Sequence, residues 1–151
     1  MGVIVTWIPC WTLVTSILAV LIIVFYTLKN GKIIDSGTSS LILRHGVLLN
    51  THAEEIALKR IKRIHSRKYK IKDLRIIIWK QNNHGLVKPI DCCKWCTKLI
   101  QRYSFPMDQV LTFNREFDDN SDFGVRENIL KSAISSEPVV PLCKCLRDSK
   151  L

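Results

Sequence analysis

Charge is missing from the first 28 residues, and the first side chain carrying one at neutral pH is Lys29. That stretch also has no basic leader and no small-x-small motif, so a cleaved secretory signal is not expected. No internal repeat is visible, which argues against a solenoid or propeller built from copies. Acids are nearly absent between Lys59 and Lys80, where ten Lys or Arg stand against Asp73 alone. Such a stretch is either a solvated helix face and loop, or a surface for phosphate, nucleic acid or an anionic membrane. The six cysteines lack the even spacing of a disulfide framework. Cys92, Cys93 and Cys96 are clustered, Cys143 and Cys145 are two apart, and Cys10 sits alone in an apolar run. Clustered thiols in a chain without a cleavable signal fit metal binding in a reducing, cytoplasmic compartment.

What is present suits one folded domain. The chain has 151 residues, 47% of them hydrophobic, four Trp and a net charge of +10. That is enough to bury a core and too apolar for a disordered tail. The uncharged start has two readings. A helix over residues 5–28 is long enough to span a membrane, since about 20 apolar residues suffice. Lys29 and Lys32 would then mark its cytoplasmic side, and residues 3–28 would be the membrane contact. Alternatively, residues 1–17 form an apolar helix against the core, and Leu21 to Thr27 is a buried strand, being dense in β-branched and aromatic residues. Asn30-Gly31 then makes a hairpin turn, because that pair tolerates positive φ, and residues 33–37 return as a second strand.

Residues 41–50, around Arg44-His45-Gly46, read as a connecting segment. Thr51 with Glu54 three residues on has the form of a capping box, opening a helix over about 52–66. Ala57, Ile61 and Ile64 share one face of it. Leu74 to Trp79 is expected to be a buried strand, 81–88 a loop, 92–103 a second helix and 109–113 another strand. The acidic stretch 114–124 reads as a solvated loop, 125–135 as a last strand or short helix, and 136–151 as a loose tail. The domain is therefore expected over 18–135, as an α/β sandwich with mixed strand pairing.

Two short motifs carry chemistry. His52-Ala53-Glu54 opens the first helix, and Cys93-Lys94-Trp95-Cys96 opens the second, with 38 residues between Glu54 and Cys93. That interval accommodates the rest of a helix, a strand and two loops, so two helix N-termini can meet on one face of a sheet. Cys93 and Cys96, three apart at a helix start, lie on one face, and the helix N-terminus favours their thiolate form. In this order the motifs resemble the cytidine and deoxycytidylate deaminase superfamily, over roughly residues 18–115. The resemblance implies a three-layer cytidine-deaminase-like sandwich with a mixed central sheet. It implies a Zn2+ held by His52, Cys93 and Cys96, a fourth position left for water, and Glu54 as the proton shuttle. It further implies a nucleotide or nucleic-acid substrate, the peptide group around Ala53 against the base, and a homo-oligomer.

Two positions depart from the family pattern. Cys92 stands where the family has Pro, either as a spare thiol or as an alternative ligand. Gly37-Thr38-Ser39 stands where the family has Gly-x-Asn at the substrate. These departures motivate an alternative to the enzyme: a zinc-binding module of the same fold, without turnover, that binds nucleic acid or a membrane surface. Trp79 and Trp95 are each either base-stacking residues or ordinary aromatics. His45 and His84 lie in loops that either border the pocket or are simply solvated. Cys143-Lys144-Cys145 is either a metal or acylation site or a tail pair without function.

Overall fold

Asn30 and Gly31, at φ 50° and 75°, reverse the chain between two strands whose residues are mostly β-branched, aromatic or aliphatic. The computed structural model describes residues 22–118, 126–136 and 139–148. Its strands and helices run β1 (Ile22–Lys29), β2 (Lys32–Thr38), β3 (Ser40–Arg44), β4 (Val47–Thr51), α1 (Ala53–Arg60), β5 (Leu74–Gln81), β6 (Leu86–Lys88), α2 (Lys94–Arg102), β7 (Val110–Phe113), β8 (Phe117–Asp118), α3 (Arg126–Ser136), β9 (Val139–Pro141) and α4 (Lys144–Asp148). A π-helical turn, Ile61–His65, extends α1.

β5 is the centre of a seven-stranded sheet. One edge pairs antiparallel with β1 over its whole length, from Ile22↔Gln81 to Lys29↔Leu74. Its other edge is divided. Ile76 and Ile77 pair parallel with β7, whereas Lys80 and Gln81 pair antiparallel with β6. β2 closes one side on β1, β9 lies on β7, and β8 lies on β6. The sheet is thus mixed, with most of its pairings antiparallel.

Alternation along β5 separates two cores. Leu74, Ile76 and Ile78 face α1 and α2, packing with Phe25, Ala57, Leu58 and Ile100. Ile77 and Trp79 face the other way, with Tyr26, Phe113 and Leu130 of α3. The described residues therefore form three layers, helix–sheet–helix. On the α3 side, edge-to-face ring contacts run Tyr26–Trp79 (4.9 Å), Trp79–Phe113 (5.7 Å) and Phe113–Phe117 (4.9 Å). Each such pair contributes about 0.5–1.5 kcal/mol beyond its burial.

Several expectations need correction. Residues 22–28 belong to β1, so they are not part of a helix over 5–28; residues 1–21, including the expected helix 1–17, lie outside the described residues. No described helix is long and apolar enough to cross a membrane. Residues 41–50 are not a plain connection but a second hairpin, β3–β4, paired from Ser40↔Thr51 to Arg44↔Val47. Because Thr51 is held in that pairing, the N-cap of α1 falls on His52, and no side chain caps it. The loop 81–88 contains β6, and the acidic loop contains the two-residue β8. Of the two readings for 125–135, the helix is found, as α3 over Arg126–Ser136.

The loose tail expected over 136–151 is the largest departure. Its β9 strand pairs with β7, Leu142 and Cys143 are buried, and α4 follows, so the domain extends past residue 135. Pro141 is tolerated because β9 pairs on one side only.

Candidate metal centre

His52 and Cys93 occupy equivalent places: each is the extended N-cap residue of a helix packed on the same sheet face. His52 is delivered by the last residue of β4. Cys93 is delivered by residues 90–92, which three contacts hold. Ile90 N–H donates to Thr112 Oγ1 (3.1 Å), Cys92 N–H donates to the Leu142 carbonyl (3.3 Å), and Arg147 ion-pairs with Asp91. The C-terminal segment therefore buttresses the cysteine turn, a role for which the sequence carried no local signal.

The three expected ligands converge. His52 Nδ1 lies 3.1 Å from Cys96 Sγ and 3.7 Å from Cys93 Sγ, and all three donor atoms lie within 4.8 Å of one another. Tetrahedral zinc with Zn–S of about 2.3 Å and Zn–N of about 2.0 Å requires donors roughly 3.5–3.8 Å apart. The His52–Cys93 separation falls in that range and the His52–Cys96 separation is about 0.4 Å short of it, so the group could hold a metal ion, and its N,S,S donor set is compatible with zinc. The Cys96 amide donates to Cys93 Sγ (3.3 Å), so the sulfur caps α2 as a hydroxyl would.

Glu54 is 4% exposed in the first turn of α1, and its charge is felt by both Cys92 and Cys96. A buried carboxylate beside three metal-binding donors is costly unless a cation or a proton balances it. Cys92 sits on the other flank. The Thr97 hydroxyl lies 3.4 Å from its sulfur and 3.7 Å from that of Cys143. Hydrogen bonding from Cys96 above all, and then from Thr97, outweighs burial and lowers the Cys92 thiol to about 7. Donation to Cys92, then burial and the Glu54 carboxylate, push Cys96 far up. Burial raises Cys143 to about 11. A divalent cation held by His52, Cys93 and Cys96 would reverse the direction at Cys96, because a coordinating thiol is deprotonated.

The remaining candidates separate cleanly. Trp79 is fully buried core, while Trp95, between Cys93 and Cys96 in sequence, is 57% exposed. His45 is at the tip of β3–β4 and His84 is in the turn before β6, both exposed. Cys143 is buried next to Cys92 and Cys145 is exposed. Ser39 donates its N–H to the Ile23 carbonyl (2.8 Å), at the root of the β3–β4 hairpin. The basic stretch also divides. Arg60 is structural, bonded to Asp35 (3.1 Å) and the Ser36 carbonyl (2.9 Å), and His65 approaches the same carboxylate (3.4 Å). Lys59, Lys62 and Arg63 remain exposed on the outer side of α1 and its π-helical extension. Comparison with known families, curated proteins and solved structures finds no match to this chain.

Proposed function

We propose that this chain is a zinc-dependent hydrolytic deaminase of a cytosine-type base, carried in a nucleotide or a nucleic acid. The observation that carries the reading is the convergence of His52, Cys93 and Cys96 at two neighbouring helix N-termini, with Glu54 buried beside them. The three-layer order, with strands feeding both motif helices on one sheet face, supports a cytidine-deaminase-like sandwich.

Zinc, when bound, lowers the pKa of water from 15.7 towards about 7 and so supplies hydroxide at neutral pH. The rest of the chemistry falls to the chain. Deamination forms one C–O bond and breaks one C–N bond, consuming water and releasing ammonia. Glu54 is placed to take a proton from water, hand it to the ring nitrogen, and later protonate the departing amine. Its burial keeps it out of bulk solvent, where its proton would be lost between steps. His52 presents Nδ1, not Nε2, to the two thiols.

The test joins metal analysis to turnover. We expect one zinc per chain and deamination of at least one of dCMP, CMP or an oligonucleotide. Glu54→Gln is expected to keep the metal while turnover falls by about 10²–10⁴, the usual contribution of a positioned acid–base group. Chelation should lower the melting temperature, since metal binding to the folded state adds about 4 kcal/mol at a thousandfold excess over Kd. Zinc-loaded chain that is inactive on every substrate would leave the non-catalytic module in place of the enzyme. Chain without zinc would remove both.

A further inference from the structure

The outer surface of α1 and α2 holds a feature that zinc binding does not use. Between the helices runs a groove of about 240 Å³, lined on one wall by Glu55, Lys59 and Lys62 and on the other by Trp95, Leu99, Arg102 and Tyr103. Its Glu55–Trp95 end lies at the helix starts that carry the candidate metal centre, since Trp95 falls between Cys93 and Cys96 in sequence and Glu55 follows Glu54. Both helices point away from the centre, so from Glu55 to Lys62 the groove extends about 10 Å at 1.5 Å per residue.

Its chemistry is that of a polyanion with flat faces. Lys59, Lys62 and Arg102 are exposed, and Arg63, Lys94 and Lys98 are exposed on the same two helical segments. The one acid in the groove, Glu55, is already paired with Lys59 at 2.6 Å. Lys62 lies 5.5 Å from the centre of the Tyr103 ring, so cation and aromatic are held together at the far end. Trp95, 57% exposed, stands at the near end. An aromatic platform beside a basic track binds unpaired bases, because every base offers a π-face only when it is out of the duplex. A second copy of this chain would bring like charges together, which disfavours self-association here.

We infer that the α1–α2 groove binds single-stranded nucleic acid, with Trp95 stacking a base next to the metal centre and Lys62 and Arg102 holding phosphates further on. This deepens the proposed function and rests on it for the reaction, but not for the binding. The probe is a fluorescein-labelled nine-nucleotide oligo-dC or oligo-rC, read by anisotropy on zinc-loaded full-length chain. Binding should be at least tenfold tighter than displacement by dCMP indicates for the mononucleotide, and should weaken as salt rises, with a log–log slope near −0.7 per phosphate contact. Lys62→Glu with Arg102→Glu should weaken it tenfold or more and flatten that slope. Lys62→Arg should preserve it. Trp95→Ala should weaken it about tenfold and Trp95→Phe much less. Zinc content and circular dichroism check that each variant folds.

Equal affinity for the oligonucleotide and dCMP would overturn the inference, as would binding indifferent to the groove variants. So would anionic vesicles that bind in preference to the oligonucleotide with the same sensitivity to those variants. Glu54→Gln separates the two claims. Groove-dependent binding without turnover in the parent chain sinks the enzyme and keeps the groove. Turnover of dCMP without oligonucleotide binding does the reverse.

Discussion

The β1–β2 and β3–β4 hairpins turn on the same two-residue geometry: Asn30-Gly31 at φ 50° and 75°, His45-Gly46 at φ 49° and 76°. Both ribbons are antiparallel, and both are rich in residues that favour strands. Their surroundings differ. In β1, Phe25 and Thr27 have no exposed surface, since β5 pairs alongside and helices cover both faces. In the second hairpin, Leu41 (67%), Leu43 (70%) and Leu48 (62%) are exposed on one face, and Ile42, Val47 and Leu49 on the other. Turn chemistry and strand propensity make a hairpin locally; burial depends on what lies beside it. The second hairpin joins the site at its root, where Thr51 hands the chain to His52.

Truncating one apolar side chain in each ribbon gives the largest separation. Phe25→Ala should cost about 3–5 kcal/mol, the usual range for removing a buried aromatic. Leu43→Ala should stay within about 0.5 kcal/mol, as for a surface change. Urea denaturation of both variants measures the gap. Equal costs would mean that β3–β4 is packed in solution against something that the described residues do not include.

An intermediate effect is expected at Gly37, opposite Phe25 in the β1–β2 register. A Cβ there would come within 2.7 Å of Phe25 Cε1 and 2.8 Å of Cζ, with Arg60 Nη1 at 3.3 Å. The ring lies over the glycine, and Arg60 lies 5.6 Å from the ring centre. Gly37→Ala should therefore cost about 1–3 kcal/mol by overpacking. Gly37→Ala in a Phe25→Leu background should recover part of that cost, which a double-mutant cycle would read. Additive losses would mean that the ring is not what excludes the methyl.

The same contrast explains what could be read from the sequence. The first hairpin was legible because Asn-Gly is a strong turn signal, and β5 because Leu74 to Trp79 is apolar at five of six positions and rich in isoleucine. The convergence of His52, Cys93 and Cys96 was legible because such a motif is local: His52 and Glu54 share one helix start, Cys93 and Cys96 another. The second hairpin was not. His-Gly is a weaker signal, and Leu41 to Leu43 and Val47 to Leu49 are apolar at every position, without the alternation of a half-buried strand. Contacts made at long range left no pattern at all. Asp35 with Arg60, Thr97 with Cys143, and β9 on β7 exist only once the sheet is assembled. That is why the C-terminal segment looked like a tail although it braces the cysteine turn.

The smallest effect is the sharpest discriminator, because it applies one perturbation to both hairpins. Gly31 and Gly46 each sit at positive φ, and a methyl added at either meets nothing within 4 Å. Gly31→Ala and Gly46→Ala therefore introduce the same backbone strain, about 1–2 kcal/mol, with no steric difference to confuse them. At Gly31 the strain falls on a ribbon whose first strand is paired along its whole length with the central strand, so opening it exposes Phe25 and Thr27. The full cost should appear as a loss of global stability and a lower melting temperature. At Gly46 the strain falls on a ribbon that can fray by itself. It should speed hydrogen exchange at Leu43 and Leu48 and leave the melting temperature unchanged, since local opening contributes to global stability only when the opened residues belong to the cooperative core. A matching drop in melting temperature for Gly46→Ala would tie β3–β4 to the core through its root, where Ser39 bonds to the Ile23 carbonyl and Thr51 leads into His52.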